Sequence, residues 1–494
     1  LNLSDAVCAH AAARPDAAAL LTPTRRISYA ELDAMSWRVA GHLAGRGMRA
    51  GDRAAITISD NVAHAVTLLA LVRLGAAQYG LSAADTVSTR QSIIRRLGLK
   101  WFVGEEAPAD VTIPQVPIDP TLRDYENIRK DRSVLASDPD LPWLAMMSSG
   151  TTGAPKAFLL SHAQTLGRYN TYRAAIPLEP GHRFLSLVEL SFGSARQRTL
   201  YSMMSGGTVV MPDRASDPIT LALVNDSNVG IVFSTPFHLS LLLKLVRPDA
   251  PGPLLPTVNM LVCSTSEVGE ALRQAVRRSV SPNLMVAYGS SEVGYVAAGS
   301  GAAQASVPGS VGFPLPGATV QLVDNDEVIH QPGVTGRLRV KAPFLIAGYL
   351  DDPEMTGEYF RDGWFYPGDL GAWSADGQLI FKGRADDMML LDGINIYPAE
   401  IEQTLMQHPA VAETAAFAIK SPIHQDVPAA AVVLSSPVTS QTLLDFSKEL
   451  LGVRAPRIIM LMHALPRSPA GKVLRTALLE EYEKATSSQH APTG

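Results

Sequence analysis

The sequence predicts an α/β protein with a large N-terminal part and a smaller α/β unit at its C-terminal end. Three observations predict it. Runs that read as strand and helix alternate from Arg53 onward, a pattern that favours a mostly parallel sheet covered by helices. Two capping boxes, Ser28 to Glu31 and Ser161 to Gln164, open stretches with the marks of helices. Beyond Asp386 a further set of helix and strand patterns is long enough for a separate unit.

In chain order, Ile27 to Met48 carries apolar residues at helical spacing behind its capping box and reads as an amphipathic helix. Arg53 to Ser59 reads as a strand, and Asn61 to Leu74 as a largely apolar helix stopped by Gly75. Lys100 to Pro142 is richer in Pro and Asp and is expected to loop around the edge of this unit. LPWLAMM before Ser148 and AFLL after Lys156 read as strands. Arg183 to Met211 predicts a strand, a turn at Ser191 to Ser194, a helix and a second strand opened by Gly206 and Gly207. Ile231 to Leu245 repeats the pattern, and Met260 to Cys263 and Leu284 to Ala287 are further strands. In the last part, a helix opened by Pro398, strands in VAETAAFAI and AAAVVL, a helix over Ser440 to Leu451 and a strand in RIIMLM complete the second unit.

Composition narrows the function classes. With 494 residues, 46% of them hydrophobic, the chain has material for a sizeable core and roughly three domain-sized units of about 150 residues. A net charge of −5, from 42 basic and 47 acidic residues interspersed, provides no basic stripe for nucleic acid. Cys8 and Cys263 alone support neither a disulfide framework nor a cysteine zinc site, which fits a reducing cytoplasm. The longest apolar stretch, Val66 to Ala77, is broken by Arg73 and is too short for a membrane span. No signal-peptide pattern is present, so a cytoplasmic location is expected; Leu1 leaves a trimmed or incomplete start open.

The stretch SSGTTGAPK, Ser148 to Lys156, carries the first chemistry. Gly150 and Gly153 let backbone N–H groups approach phosphate oxygens, the hydroxyls of Ser148, Ser149, Thr151 and Thr152 add donors, and Lys156 supplies countercharge. Such a loop wraps a polyphosphate. Ala154 and Pro155 before the lysine depart from a Walker A loop, which argues against a kinase or GTPase site. Alone, the stretch would serve equally well as a surface turn. Downstream, the strand at Leu284 to Ala287 empties into Tyr288, Gly289, Ser290, Ser291 and Glu292, at the kind of strand end where open α/β sheets bind ligands. Glu292 would suit magnesium bridging phosphate oxygens, or would cap a helix while Tyr288 fills the core.

Taken together, SSGTTGAPK, YGSSE, GWFYPGDLG, GRADDMMLLDGINIYPAEIE and PRSPAGKVLR, in this order, resemble the motifs of the adenylate-forming superfamily of acyl- and aryl-CoA synthetases, peptide-synthetase adenylation domains and luciferases. The resemblance extends through nearly the whole chain. It implies a large N-terminal domain of mixed α/β sheets sandwiched with helices, residues 1–385, and a small mobile C-terminal α/β domain, residues 386–494. It also implies a two-step reaction, in which a carboxylate attacks the α-phosphate of ATP to give acyl-AMP and pyrophosphate, and a thiol then takes the acyl group. Asp369 matches the aspartate that accepts the ribose hydroxyls, and Arg384 the arginine that also reaches the ribose. Pro367 replaces the more usual Thr, which removes a side-chain contact. Asp386 matches the hinge, and Gly393 the glycine lining the thiol's tunnel. Lys472 resembles the lysine that bridges the reacting carboxylate and α-phosphate, where a desolvated ammonium lowers the repulsion between two anions.

Substrate identity is less legible. By the same resemblance Phe192 holds an aromatic gate position, and Gly193 replaces the aspartate that pairs an amino acid's ammonium, so an aryl or fatty acid is expected in place of an α-amino acid. STPFHLSLLL places Phe237 and His238 near the acyl pocket, His238 serving equally as a packed core histidine. Ser264, Thr265 and Ser266 stand beside adenine and the acyl group. Arg196 and Arg198 ordinarily read as helix arginines that face solvent or pair with nearby acids; alternatively one of them meets a second anionic or hydroxyl group on the acid. The leading function is an ATP- and magnesium-dependent acid–CoA ligase, acting as monomer or homodimer. The alternatives are an enzyme loading the phosphopantetheine of an acyl carrier protein, and a catalytically silent nucleotide-binding protein.

Overall fold

Ser28 opens the first long helix as its sequence dictates: its side chain accepts from the Glu31 N–H while the Glu31 carboxylate accepts from the Ser28 N–H, and the helix runs Tyr29–Gly45. A computed structural model describes residues 2–489 except 83–84, 106, 126–127, 129–131, 149–155, 248, 250–251, 392–393, 422 and 469–470. The helix Asn61–Leu74 is capped by Asp60, stopped by Gly75 in the left-handed conformation, and buried at every position. A helix buried all round needs any charge on it matched. Arg73 is matched by Asp33 at 2.8 Å and by the face of Trp37, 4.1 Å from the guanidinium.

Two largely parallel sheets form the body. The first orders its strands Leu284–Val286, Met260–Cys263, Ile231–Ser234, Arg183–Ser186, Thr208–Val210, Ala18–Leu21 and Arg26–Ser28, the last antiparallel to its neighbour. The second orders Gln115–Pro117, Trp101–Gly104, Arg53–Thr57, Ala77–Gly80, Pro142–Ser148 and Lys156–Ser161, with only the final pair antiparallel. The segment Lys100 to Pro142 thus lies at the sheet edge as expected but is more than loop. WFV and QVP within it are short apolar runs that pair as two parallel edge strands.

An antiparallel seven-stranded sheet between residues 319 and 384 extends the body. It includes Asp369–Trp373 and Leu379–Arg384, which place Asp369 opposite Arg384. The C-terminal unit is a five-stranded sheet in which Val411–Ser421 and Gln425–Leu434 form a long hairpin, with Ile458–Met462 parallel to the second strand. The helices Pro398–Leu405 and Ser440–Leu451 pack on it around their own apolar cluster, centred on Ile396, Ile401, Leu405 and Leu443. Among the described residues no helix is long and apolar enough to cross a membrane.

Candidate active site

The carboxyl ends of the first sheet open into a cleft of about 1540 Å³ lined by both the body and the C-terminal unit. The strand Leu284–Val286 delivers Tyr288 to Glu292 there, Met260–Cys263 delivers Ser264, Thr265 and Ser266, and Ile231–Ser234 delivers Phe237. Lys156, Asp369, Arg384 and Lys472 line the same cleft. Residues separated by more than three hundred positions in the chain therefore share one space.

Asp369 and Arg384 form its most tightly bonded group. Arg384 Nη1 donates to Asp369 Oδ1 at 3.1 Å and to the Pro367 carbonyl at 2.6 Å, while Nη2 donates to Asp386 at 2.8 Å. Pro367, which has no side-chain hydroxyl to offer, contributes through its backbone. Gly368 has φ of +81°, and a Cβ there would lie 2.9 Å from Arg384 Nη2, so the turn requires glycine. The Tyr288 hydroxyl donates to Asp369 Oδ2 at 2.5 Å. Burial raises the Asp369 pKa, against the pull of Arg384.

Lys156 is 6% exposed and holds its ammonium 3.2 Å from the centroid of the Tyr359 ring, with Tyr349 at 5.5 Å. Burial depresses its pKa, and the charge of Glu292 opposes that shift. Glu292 is itself 6% exposed, and its Oε1 accepts from the Tyr349 hydroxyl at 3.2 Å. No helix begins at Glu292, so it is not a helix cap. Tyr349 and Tyr359 had no sequence signal, being lone aromatics in a loop and at the end of a short helix.

Lys472 sits on a loop closed by the Ser468 N–H donating to the Lys472 carbonyl at 2.7 Å. Gly471, with φ of +82°, approaches the body so closely that a Cβ would fall 2.7 Å from Phe237 Cβ. Burial lowers the Lys472 pKa, countered by Asp387. Behind the loop, Arg475 bonds Glu402 at 2.8 Å and Asp387 at 3.2 Å. Burial, reinforced by Glu402 across the cleft, raises Glu267 to about 7. The pairing of Glu267 with Glu402 is a product of the docking of the two parts and was invisible in sequence.

Not every expected site residue arrives. Ser149, Gly150, Thr151, Thr152, Gly153 and Gly393 lie outside the described residues, and Ser148 ends the strand that leads to them. Phe237 lines the cleft but packs on Gly471 and 5.8 Å from the Arg467 guanidinium, at the seam between the two parts. His238 does not line the cleft: its Nδ1 is 2.8 Å from Thr235 Oγ1, at the start of its own helix, and burial lowers its pKa. His238 is half-buried, with the Phe237 ring 5.7 Å away. Phe192 and Gly193 do not line the cleft among the described residues; Gly193 instead stands behind Met146, 3.1 Å from where its Cβ would be, and Met146 does line it. Ser264 is buried and its hydroxyl accepts from Tyr295 at 2.8 Å, while Thr265 adopts a left-handed φ of 86° and Ser266 is exposed.

The expectation of solvent-facing arginines is overturned. Arg196 is 0% exposed and Arg198 8%, because the helix Gly193–Met204 is enclosed by the body's core. Arg198 lines the cleft, whereas Arg196 does not. Arg168, unremarked in sequence, also lines it and donates to the carbonyls of Phe344, Ser291 and Glu292.

Comparison with known proteins agrees with this geometry. A family model described as AMP-binding enzyme matches residues 8–350, and one described as AMP-binding enzyme C-terminal domain matches residues 400–472. The chain is 27% identical over 495 residues to a 3-hydroxybenzoate–CoA ligase from Aromatoleum sp. (strain CIB), covering 94% of this chain and 93% of the relative. It is 27% identical over 478 residues to a 2-succinylbenzoate–CoA ligase from Bacillus licheniformis, covering 94% and 97%. ATP-bound MatB from Rhodopseudomonas palustris shares the fold with a TM-score of 0.88 at 23% identity, covering 98% of this chain and 100% of that one. The large N-terminal domain and small C-terminal domain are those of adenylate-forming enzymes, and the chain belongs to the AMP-binding enzyme family.

Proposed function

We propose that the chain is an AMP-forming acid–thiol ligase that activates an aryl or acyl carboxylic acid and passes it to coenzyme A. The reading is carried by one observation: Lys156, Glu292, Asp369, Arg384 and Lys472 line a single cleft. In the first step a carboxylate oxygen of the acid bonds to the α-phosphorus of ATP, and the bond to pyrophosphate breaks. In the second the thiol sulfur, losing its proton, bonds to the acyl carbon and AMP leaves. Relatives named as aryl-CoA ligases support an aryl acid and coenzyme A as the thiol. By the resemblance Gly193 takes the place of the aspartate that pairs an ammonium, and although it stands behind Met146 its lack of a carboxylate favours an acid without an α-amino group.

Each role follows from chemistry available in the cleft. Asp369 accepts the ribose hydroxyls with lone pairs left over from Tyr288 and Arg384. Lys156 supplies countercharge to the outer phosphates. Lys472, partly desolvated, bridges the two approaching anions and stabilises the charge that develops between them. Magnesium, which neutralises phosphate charge when bound, would be held by Glu292; one buried carboxylate suits an ion that takes its remaining ligands from phosphates and water. We place the domain boundary at Asp386, with residues 1–385 as the adenylation core and 386–494 as the part that rotates between the two steps.

A hydroxylamine-trapping screen over aryl, hydroxyaryl and short and long aliphatic acids tests the first step without presuming the thiol. AMP formation with at least one class is expected, and none with any acid would refute the reading. Thioester assays with coenzyme A and with phosphopantetheinylated carrier proteins then identify the acceptor; transfer to carriers alone would refute the coenzyme A assignment.

A further inference from the structure

We infer that the acid this enzyme activates carries a second anionic group, a carboxylate distant from the reacting one, which docks against Arg198. The inference rests on the acid–thiol ligase reading and narrows its substrate class.

Burying a guanidinium is costly unless its charge and its N–H groups are matched, and three other buried arginines of the body show how this chain meets that demand, although Arg196, with one bond of 3.4 Å to the Ser191 carbonyl, falls short of it. Arg73 has Asp33 at 2.8 Å. Arg168 donates to three backbone carbonyls, and Arg273 to two, those of Val268 and Ser310. Arg198, 8% exposed, donates to the Ser194 carbonyl at 2.9 Å and has the phenolic oxygens of Tyr295 and Tyr172 beside it; its Nε has no partner, and it forms no ion pair among the described residues. Its charge rests on aromatic faces, 3.9 Å from the Phe233 centroid and 4.8 Å from that of Tyr295.

The neighbours are equally short of acceptors. The hydroxyls of Tyr172 and Tyr201 and the Nε2 of Gln197 are buried without hydrogen-bond partners among the described residues. All three residues line the cleft together with Arg198. Guanidinium and amide N–H₂ donate and phenols both donate and accept, so this wall is rich in protons and holds no anion. A carboxylate, with about four lone-pair sites and a full negative charge, answers both deficits at once. An unsubstituted ring or alkyl tail would leave every one of these donors dry. A single hydroxyl would satisfy one or two of them and none of the charge. Arg196 is as buried as Arg198 but does not line the cleft, so the inference concerns Arg198 alone.

ATP–pyrophosphate exchange by the full chain with matched acids tests this: benzoate, 3-hydroxybenzoate and isophthalate as one series, hexanoate and adipate as another. At least one diacid is expected to exceed its monoacid by about 100-fold in kcat/KM. Arg198→Met is expected to collapse that ratio to near unity, and Arg198→Lys to restore part of it by returning the charge without the fork. Tyr201→Phe, which conserves volume, is expected to lower the ratio several-fold and serves should Arg198→Met not fold. Preference for monoacids or hydroxy acids in the wild type, or a ratio unchanged by these substitutions, overturns the inference while leaving the ligase reading intact. Exchange with no acid at all overturns the ligase reading and this inference with it.

Discussion

In the body, Asp369, Lys156 and Glu292 are 7%, 6% and 6% exposed and are fixed by Tyr288, Arg384, Tyr359 and Tyr349. In the C-terminal unit, Lys472 lies on a half-buried loop, and the charges behind it, Arg475 with Asp387 and Glu402, are 31%, 19% and 21% exposed. One half of the cleft is set in a core; the other carries its lysine on a loop backed by charges, all within the C-terminal unit, that water reaches. Across the seam the like-charged Glu267 and Glu402 subtract from the stability of docking. The difference teaches how unlike the two sides of the cleft are, and the proposed rotation of the C-terminal part between two steps would use it.

That contrast breaks most visibly at Lys472. Lys472→Ala is expected to slow adenylation by about 10²–10³-fold while leaving thioester formation from supplied acyl-AMP largely intact. Equal loss in both half-reactions would show that the loop serves a single fixed site. The next effect is at the link. Asp386→Pro is expected to slow thioester formation by on the order of tenfold more than pyrophosphate exchange, because a fixed φ hinders rotation there.

The pH dependence of the seam sharpens the comparison further. Glu267 has its pKa raised from an ordinary 4.5 to about 7 while it faces Glu402, so the docked arrangement favours its protonated form. That contribution is complete below the ordinary value and is lost as pH rises through about 7. Fluorescence energy transfer between labels on the two parts should report a few-fold loss of the docked population from pH 5 to pH 8, and Glu267→Gln should flatten the curve. A population independent of pH in the wild type would place the seam's stability elsewhere. The smallest effect belongs to the fixed half alone. Ser161 caps the helix His162–Ala175 through the Gln164 N–H, and Ser161→Ala should cost about 1 kcal/mol in denaturant unfolding without altering the ratio of the two half-reactions.

Sequence was most informative where chemistry is local. The capping boxes at Ser28 and Ser161, the stop at Gly75 and the strand ahead of Tyr288 depend on neighbours three or four residues away, and each appears in the fold. Asp369, Arg384, Glu292, Lys156 and Lys472 were legible because the resemblance is carried by contiguous motifs. What sequence hid was what packing decides. Arg196 and Arg198 sit in a helix whose composition reads as surface, and only its enclosure by two sheets makes them interior. Tyr349 and Tyr359 reach Lys156 from nearly two hundred residues away. The short strands Trp101–Gly104 and Gln115–Pro117 are stabilised by edge pairing that a Pro- and Asp-rich stretch does not advertise.

The seam between Gly471 and Phe237 leaves less room than a single methyl group occupies. One carbon added there, where φ is also left-handed, would force the loop that carries Lys472 away from Phe237. The reach of the lysine into the cleft thus depends on an atom that the chain leaves out.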